Sequence, residues 1–211
     1  LKEVLPENKK IGVLSGPSFA QELAKQLPCA VVIASENQEW IEELVPQLNT
    51  NVMRLYGSPD VIGVAVGGAV KNVMASATGR SDGLEYGLTA RAALVTRGLA
   101  EITRLAMAMG AQPKTMMGLA GIGDLILTCT GALSRNRRVG SGLAEGKELH
   151  QVLVEIGHVS EGVSTIEEVF NTAVKYQIDM PITQTLLQLI RKEMTPQQVA
   201  ERLMERSARF E

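Results

Sequence analysis

The sequence predicts an α/β unit of three strands followed by a larger all-helical domain, so that the chain as a whole is mostly helical. Three observations carry this. Short β-branched runs alternate with polar amphipathic segments up to about residue 58, and helical periodicity runs almost without interruption beyond it. The length, 211 residues, suffices for one large domain or two modest ones with a real core. The division falls between 1–58 and 59–211, the second part having an ordinary domain size.

In the first part, "KIGVLSG" (10–16), "CAVVIAS" (29–35) and "NVMRLYGS" (51–58) read as strands bounded by Gly, Pro and Ser. "SFAQELAKQ" (18–26) and "NQEWIEELVPQLN" (37–49) read as helices, the second broken near Pro46. Strand–helix–strand–helix–strand implies a mainly parallel sheet, and three strands are few for a complete doubly wound domain. In the second part, residues 60–79 form one long apolar helix. Over 89–110, Ala90, Ala93, Leu94, Leu99, Ile102, Leu105, Ala106 and Met109 trace one face, and Gly110 supplies a left-handed stop. Further helices are expected at 113–130, 134–145, 147–156, 162–176, 181–193 and 196–209. The last opens with Thr195 as cap, Pro196 at the first position and Gln198 closing a capping box.

Composition narrows the function. A 45% hydrophobic, 21% charged chain is not a disordered one. A net charge of −2 with 3% aromatics argues against nucleic-acid partners and anionic membranes. No uninterrupted apolar run approaches the roughly 20 residues of a bilayer span, so stable membrane insertion is not expected. Cys29 and Cys129 lie far apart without CxxC partners, which implies free thiols and a reducing, cytoplasmic location. The opening "LKEVLPENKK" shows no basic-then-apolar leader and no initiator Met, and the expectation is a piece of a longer protein.

Three segments carry candidate chemistry. Lys71 lies within "VAVGGAVKNVMASATG" (64–79), in a helix too apolar for a surface. It either snorkels to the edge of the helical bundle or points into a cleft, where desolvation and a nearby carboxylate suit a lysine to proton transfer. Asp124, in "GIGDLILTCTG" (121–131), is either a helix cap or that carboxylate. In "SRNRRVG" (134–140), Ser134 can cap a helix whose first turn holds Arg135, Asn136, Arg137 and Arg138. Cations there oppose the helix dipole, so the segment is either a solvated basic turn or a phosphate site. "GSGLAEG" (140–146) follows a helix and lacks dinucleotide-fingerprint spacing. His150 and His158 have no ligand spacing, so no metal is expected. Glu161 reads as a helix start, and Met107, Met109, Met116 and Met117 as core filler.

Taken together, "LSGPSFAQEL" (14–23), "GGAVKN" (67–72), "SDGLEYGLTARAALVTRGLAE" (81–101), "GLAGIGDLILTCT" (118–130), "SRNRR" (134–138), "VSEG" (159–162) and "MPIT" (180–183) resemble the bacterial NAD(P)-dependent glycerol-3-phosphate dehydrogenase family along essentially the whole chain. The resemblance implies reversible hydride transfer between NAD(P)H and dihydroxyacetone phosphate, giving sn-glycerol 3-phosphate, and places the enzyme in glycerophospholipid biosynthesis. It implies that 1–58 is the C-terminal part of a Rossmann domain and that 59–211 is the helical catalytic domain. By the same likeness Lys71 is the general acid/base, and Asp124 is the carboxylate that pairs with it and contacts substrate. Gly16, Ser18, Asn72, Thr128, Ser134, Arg135 and Asn136 match substrate-binding positions, with Arg135 and Asn136 toward the phosphate. Ala20, Arg135, Val159 and Glu161 match contacts of NAD or NADP. The expected partner is a small phosphate ester, and the expected assembly a homodimer.

Two features of the family are missing from these 211 residues: the G-x-G-x-x-G turn, and a further substrate-binding lysine of the family's N-terminal part. Two other readings stay open. One is a dehydrogenase of the same architecture acting on 3-hydroxy acids or sugar acids; the other is a helical dimerisation module. The isolated 211-residue chain is expected neither to bind dinucleotide tightly nor to turn over. Measurable NADH oxidation by it in the presence of dihydroxyacetone phosphate contradicts this.

Overall fold

The computed structural model describes residues 10–157 and 161–204. The first part holds β1 (Val13–Ser15), α1 (Ala20–Ala24), β2 (Cys29–Ala34), α2 (Gln38–Leu48) and β3 (Met53–Ser58). The sheet order is β1-β2-β3. β2 and β3 run parallel, Cys29 opposite Met53 through Ala34 opposite Ser58. β1 runs antiparallel to β2, with Val13 opposite Ala34, so the expectation of a mainly parallel sheet is corrected to one pair of each kind. The reason lies in the connections. A parallel return needs a crossover that carries the chain back along the strand. The eleven-residue α2 does this between β2 and β3. The five-residue α1 is only about 7–8 Å long and cannot, so the chain simply doubles back.

The break expected at Pro46 does not occur, for α2 continues through it to Leu48. The Asn37 side chain accepts the Trp40 N–H at 3.0 Å and starts the helix. Trp40, Ile41, Leu44 and Val45 then press onto Val31, Ile33 and Leu55 of the sheet. Pro46 sits exposed near the helix end, where water can take the freed carbonyl.

Beyond residue 60 the chain is helical: α3 (Val61–Gly83), α4 (Gly87–Ala108), α5 (Pro113–Met116), a π-helical turn (Leu119–Gly123), α6 (Asp124–Thr130), α7 (Arg135–Ala144), α8 (Leu149–Ile156), α9 (Glu161–Lys175), α10 (Pro181–Ile190) and α11 (Pro196–Met204). The single helix expected over 113–130 is three pieces. Glycine explains the division: a side chain at Gly121 would overlap the Met116 carbonyl, and Gly118 is extended at the head of the π-turn. The left-handed stop at Gly110 is present (φ +100°), as are the capping hydroxyl of Ser134 and the Thr195–Gln198 capping box. The expected stretch 205–209 lies outside the described residues.

α3 is the axis of this part. Its 23 residues are long and apolar enough, by length and composition, to cross a membrane, although Lys71 interrupts the apolar run. Here Val66, Val70, Val73, Met74 and Ala75 are buried against α4, α6, α9 and α10 in one core. The buried carboxylate of Asp60 starts the helix, accepting the Gly63 N–H at 2.8 Å, the Gln112 N–H at 2.8 Å and the Thr115 hydroxyl at 2.6 Å. Burial alone would raise its pKa, but the three donors and Lys114 together hold it below the usual carboxylate value.

α7 packs on α3 backbone to backbone. A side chain at Gly79 would overlap the Arg137 carbonyl, and one at Gly140 would overlap the Ser76 carbonyl. The Ser141 hydroxyl donates to the Gly79 carbonyl at 2.9 Å across the same crossing. Glu101 of α4, 2% exposed, caps α10 from outside, accepting the Ile182 N–H at 2.7 Å and the N–H and hydroxyl of Thr183 at 3.4 and 3.3 Å. Burial pushes this carboxyl up to about 7, against the pull of those donors and of Arg104.

Two predictions follow from these contacts. The folded Glu101 holds its proton more tightly than the unfolded one, so its contribution is full below about pH 4.5 and lost as pH rises through about 7. Stability, read from urea midpoints across that window, should fall by up to about 3 kcal/mol, and Glu101→Gln should flatten the fall. Gly140→Ala should cost about 2–3 kcal/mol by forcing α7 off α3, read in the same titration at fixed pH.

Candidate active site

The site is built where the end of β1, the middle of α3 and the π-turn meet. After β1 the chain turns at Gly16, whose φ of +139° suits only glycine and where a side chain would come within 2.9 Å of the Val31 α-carbon. This turn aims the Gly16 N–H and the Ser15 hydroxyl at Asp124 Oδ2, each at 3.2 Å. The π-turn feeds directly into α6, so Asp124 is the first residue of that helix rather than its cap. The capping alternative is thereby corrected: Gly123 holds the cap position, and the Asp124 carboxylate faces across to α3.

Lys71 Nζ donates to Asp124 Oδ2 in a short, direct ion pair. The Asp124 side chain is 3% exposed and that of Lys71 20%, so the carboxylate is sealed while the lysine side chain keeps some contact with solvent. Thr128, one turn along α6, donates to the Asp124 carbonyl at 2.6 Å and reaches Oδ1 at 3.3 Å. One carboxylate thus collects a lysine, two hydroxyls and a backbone N–H, the satisfaction a buried charge requires. The glycines beside Lys71 serve this packing. A side chain at Gly67 would overlap the Ala120 carbonyl, and one at Gly68 would come within 2.6 Å of Ser15 Oγ.

The structure therefore brings Gly16, Lys71, Asp124 and Thr128 together, with Ser18 tied in through its hydroxyl on the Gly16 carbonyl at 3.0 Å. Asn72 follows Lys71 on α3, and its carbonyl accepts the Ser76 hydroxyl at 3.2 Å. Ser134 is buried and caps α7, Arg135 is exposed, and Asn136 is partly buried. No acid lies in the first turn of α7. Ala20 opens α1 in an exposed position. Glu161 begins α9, but its side chain, like all of Val159, lies outside the described residues. Sequence reasoning passed over Ser15, whose signal was a hydroxyl residue at a strand end next to a turning glycine. It also passed over Asp82, which pairs with Arg91 and Arg137.

Comparison with known proteins identifies a family for the chain. Residues 60–201 match the family model described as the C-terminus of NAD-dependent glycerol-3-phosphate dehydrogenase, and residues 1–41 match that of its N-terminus. A glycerol-3-phosphate dehydrogenase (NAD(P)+) of Neisseria meningitidis serogroup C is 95% identical over all 211 residues, which make up 64% of that relative. One from Paucimonas lemoignei is 54% identical, with 63% of its length covered. The crystal structure of glycerol-3-phosphate dehydrogenase from Coxiella burnetii superposes with a TM-score of 0.89 at 45% identity, over 92% of this chain and 60% of that one. The chain thus spans somewhat under two thirds of the curated relatives it matches. With both family models matched in order along a fold of this kind, the chain belongs to the NAD-dependent glycerol-3-phosphate dehydrogenase family.

Proposed function

We propose that the complete protein carrying this sequence is a glycerol-3-phosphate dehydrogenase that interconverts dihydroxyacetone phosphate and sn-glycerol 3-phosphate. The observation that carries the reading is the Lys71 ammonium held on the buried Asp124 carboxylate, with the lysine side chain still 20% exposed. Asp124, fixed by Ser15, Gly16 and Thr128, keeps a charge next to Lys71 and sets the direction of its Nζ. Lys71 then donates a proton to the substrate oxygen as negative charge develops on it, and takes that proton back in oxidation. With little water around the pair, the ammonium acts on that charge more strongly than a solvated lysine does.

The cationic, acid-free start of α7 fits a ligand that bears phosphate, through Ser134, Arg135 and Asn136. The same exposed Arg135, with Ala20, Val159 and Glu161, would hold NAD or NADP. The nicotinamide, when bound, supplies or accepts the hydride. Asn72 and Ser18 complete the substrate contacts. The boundary between the Rossmann part and the catalytic part falls at 58/59, just before Asp60 caps α3. Exposed Leu88 and Met107 on α4, at 73% and 50%, supply apolar surface for a homodimer. The free thiols of Cys29 and Cys129 suit the cytoplasm.

Lys71→Met in the complete dehydrogenase should lower kcat by about 10²–10⁴-fold while NAD(P)H still binds, as read by cofactor fluorescence. Turnover that survives this change, or a 3-hydroxy acid oxidised faster than glycerol 3-phosphate, would sink the proposal.

A further inference from the structure

Of the three arginines that follow Ser134, one does not face a ligand. Arg137 Nε donates to Asp82 Oδ2 at 2.8 Å, and its terminal nitrogen lies 2.7 Å from the same oxygen. Asp82 Oδ1 accepts from Arg91 Nε at 2.7 Å. The Asp82 side chain is 11% exposed and the two guanidinium side chains 22% and 20%, so the bridge is largely shielded from solvent. One carboxylate therefore ties the end of α3, the start of α4 and the first turn of α7.

Its placement bears on the site. Asp82 lies about three turns beyond Lys71 on nearly the same face of α3, about 16 Å along the axis. α7 runs alongside in the same sense, Arg137 against Gly79 and Ala144 against Gly83. At Ser76, which Gly140 touches, the crossing lies about 7–8 Å along the α3 axis from Lys71. Glycine contacts set how closely the two helices approach, but such a crossing can still slide or rotate. The Asp82–Arg137 pair, an Nε hydrogen bond with a second guanidinium nitrogen in ion-pair contact with the same oxygen, resists that motion. It also draws one positive charge away from a helix N-terminus that already carries Arg135 and Arg138.

We infer that Asp82 is a positioning residue for substrate phosphate: by holding Arg137 and Arg91 it fixes the start of α7, with Arg135 and Asn136, in register with Lys71. This rests on the reading above that the start of α7 takes the phosphate. Inorganic phosphate, as an inhibitor competing with dihydroxyacetone phosphate, probes that register without the chemistry.

In the complete dehydrogenase, Asp82→Asn should raise both the KM for dihydroxyacetone phosphate and the Ki for inorganic phosphate about tenfold. The loss should fall on KM rather than kcat, the KM for NAD(P)H should move little, and Asp82→Glu should recover part of it. Should Asp82→Asn not fold, Arg137→Lys, which keeps the charge and loses the fork, reads the same quantities. Arg135→Ala is the control. If it raises both constants and the Asp82 and Arg137 variants only lower the melting temperature, the positioning role is overturned and the phosphate reading stands. If none of the three variants moves either constant, the phosphate reading falls and this inference with it.

Discussion

The carbonyl oxygens of Ala120 and Arg137 occupy positions where side chains on Gly67 and Gly79 would have to stand. Everything around the candidate site depends on this closeness to the backbone of α3. At Gly67 the π-turn comes near enough to place Asp124 opposite Lys71, one turn on. At Gly79, with Gly140 on the other side of the crossing, α7 is brought into backbone contact with the same helix. Larger residues at these positions would part the helices by the width of a methyl group or more. That separation is comparable to the reach of the hydrogen bonds that hold Asp124. The small residues of α3 thus act as a ruler, and α3 is apolar because it is buried in the centre of a helical bundle.

The Lys71–Asp124 pair is the second constraint, and it trades stability for position. A sealed carboxylate is costly unless its lone pairs are filled, and here four groups from three segments distant in sequence fill them. Each donor is also a geometric restraint. Ser15 and Gly16 bind the sheet to the helical part, Thr128 binds the carboxylate to its own helix, and Lys71 binds both to α3. An apolar replacement of the pair would pack as well or better, so the arrangement is understood by what the partly exposed Lys71 can do rather than by stability.

Much of this was legible in the sequence. Helix and strand positions followed from periodicity, because α4, α8, α9 and α10 each bury one face. Caps were legible wherever the capping side chain is local, as at Ser134 and Thr195. What escaped was tertiary. The antiparallel β1 depends on how far a five-residue helix can carry the chain, and the continuity of α2 through Pro46 on packing against the sheet. The purpose of Gly67 and Gly68 was not legible either, because the atoms they make room for belong to Ala120 and Ser15, about 50 positions away along the chain. Lys71 and Asp124 stood out in the sequence, but no local pattern marks Asp82, and the hydroxyl beside Gly16 does not reveal a partner 109 positions from Ser15.

The most displaced titratable groups do not mark the site, and the reason is physical. Burial pushes the Cys129 thiol to about 12, which leaves it an inert core residue beside Thr78. Burial also raises Glu101, whose oxygens are occupied in capping α10. Both face the core, where no ligand reaches them. A perturbed group signals chemistry only where an open surface adjoins it. By that measure the candidate site is recognised from exposure and convergence, a shielded acid beside a lysine side chain that keeps some contact with solvent. The cationic start of α7 is tied to the helix that carries Lys71 by the Asp82 bridge and the glycine crossing.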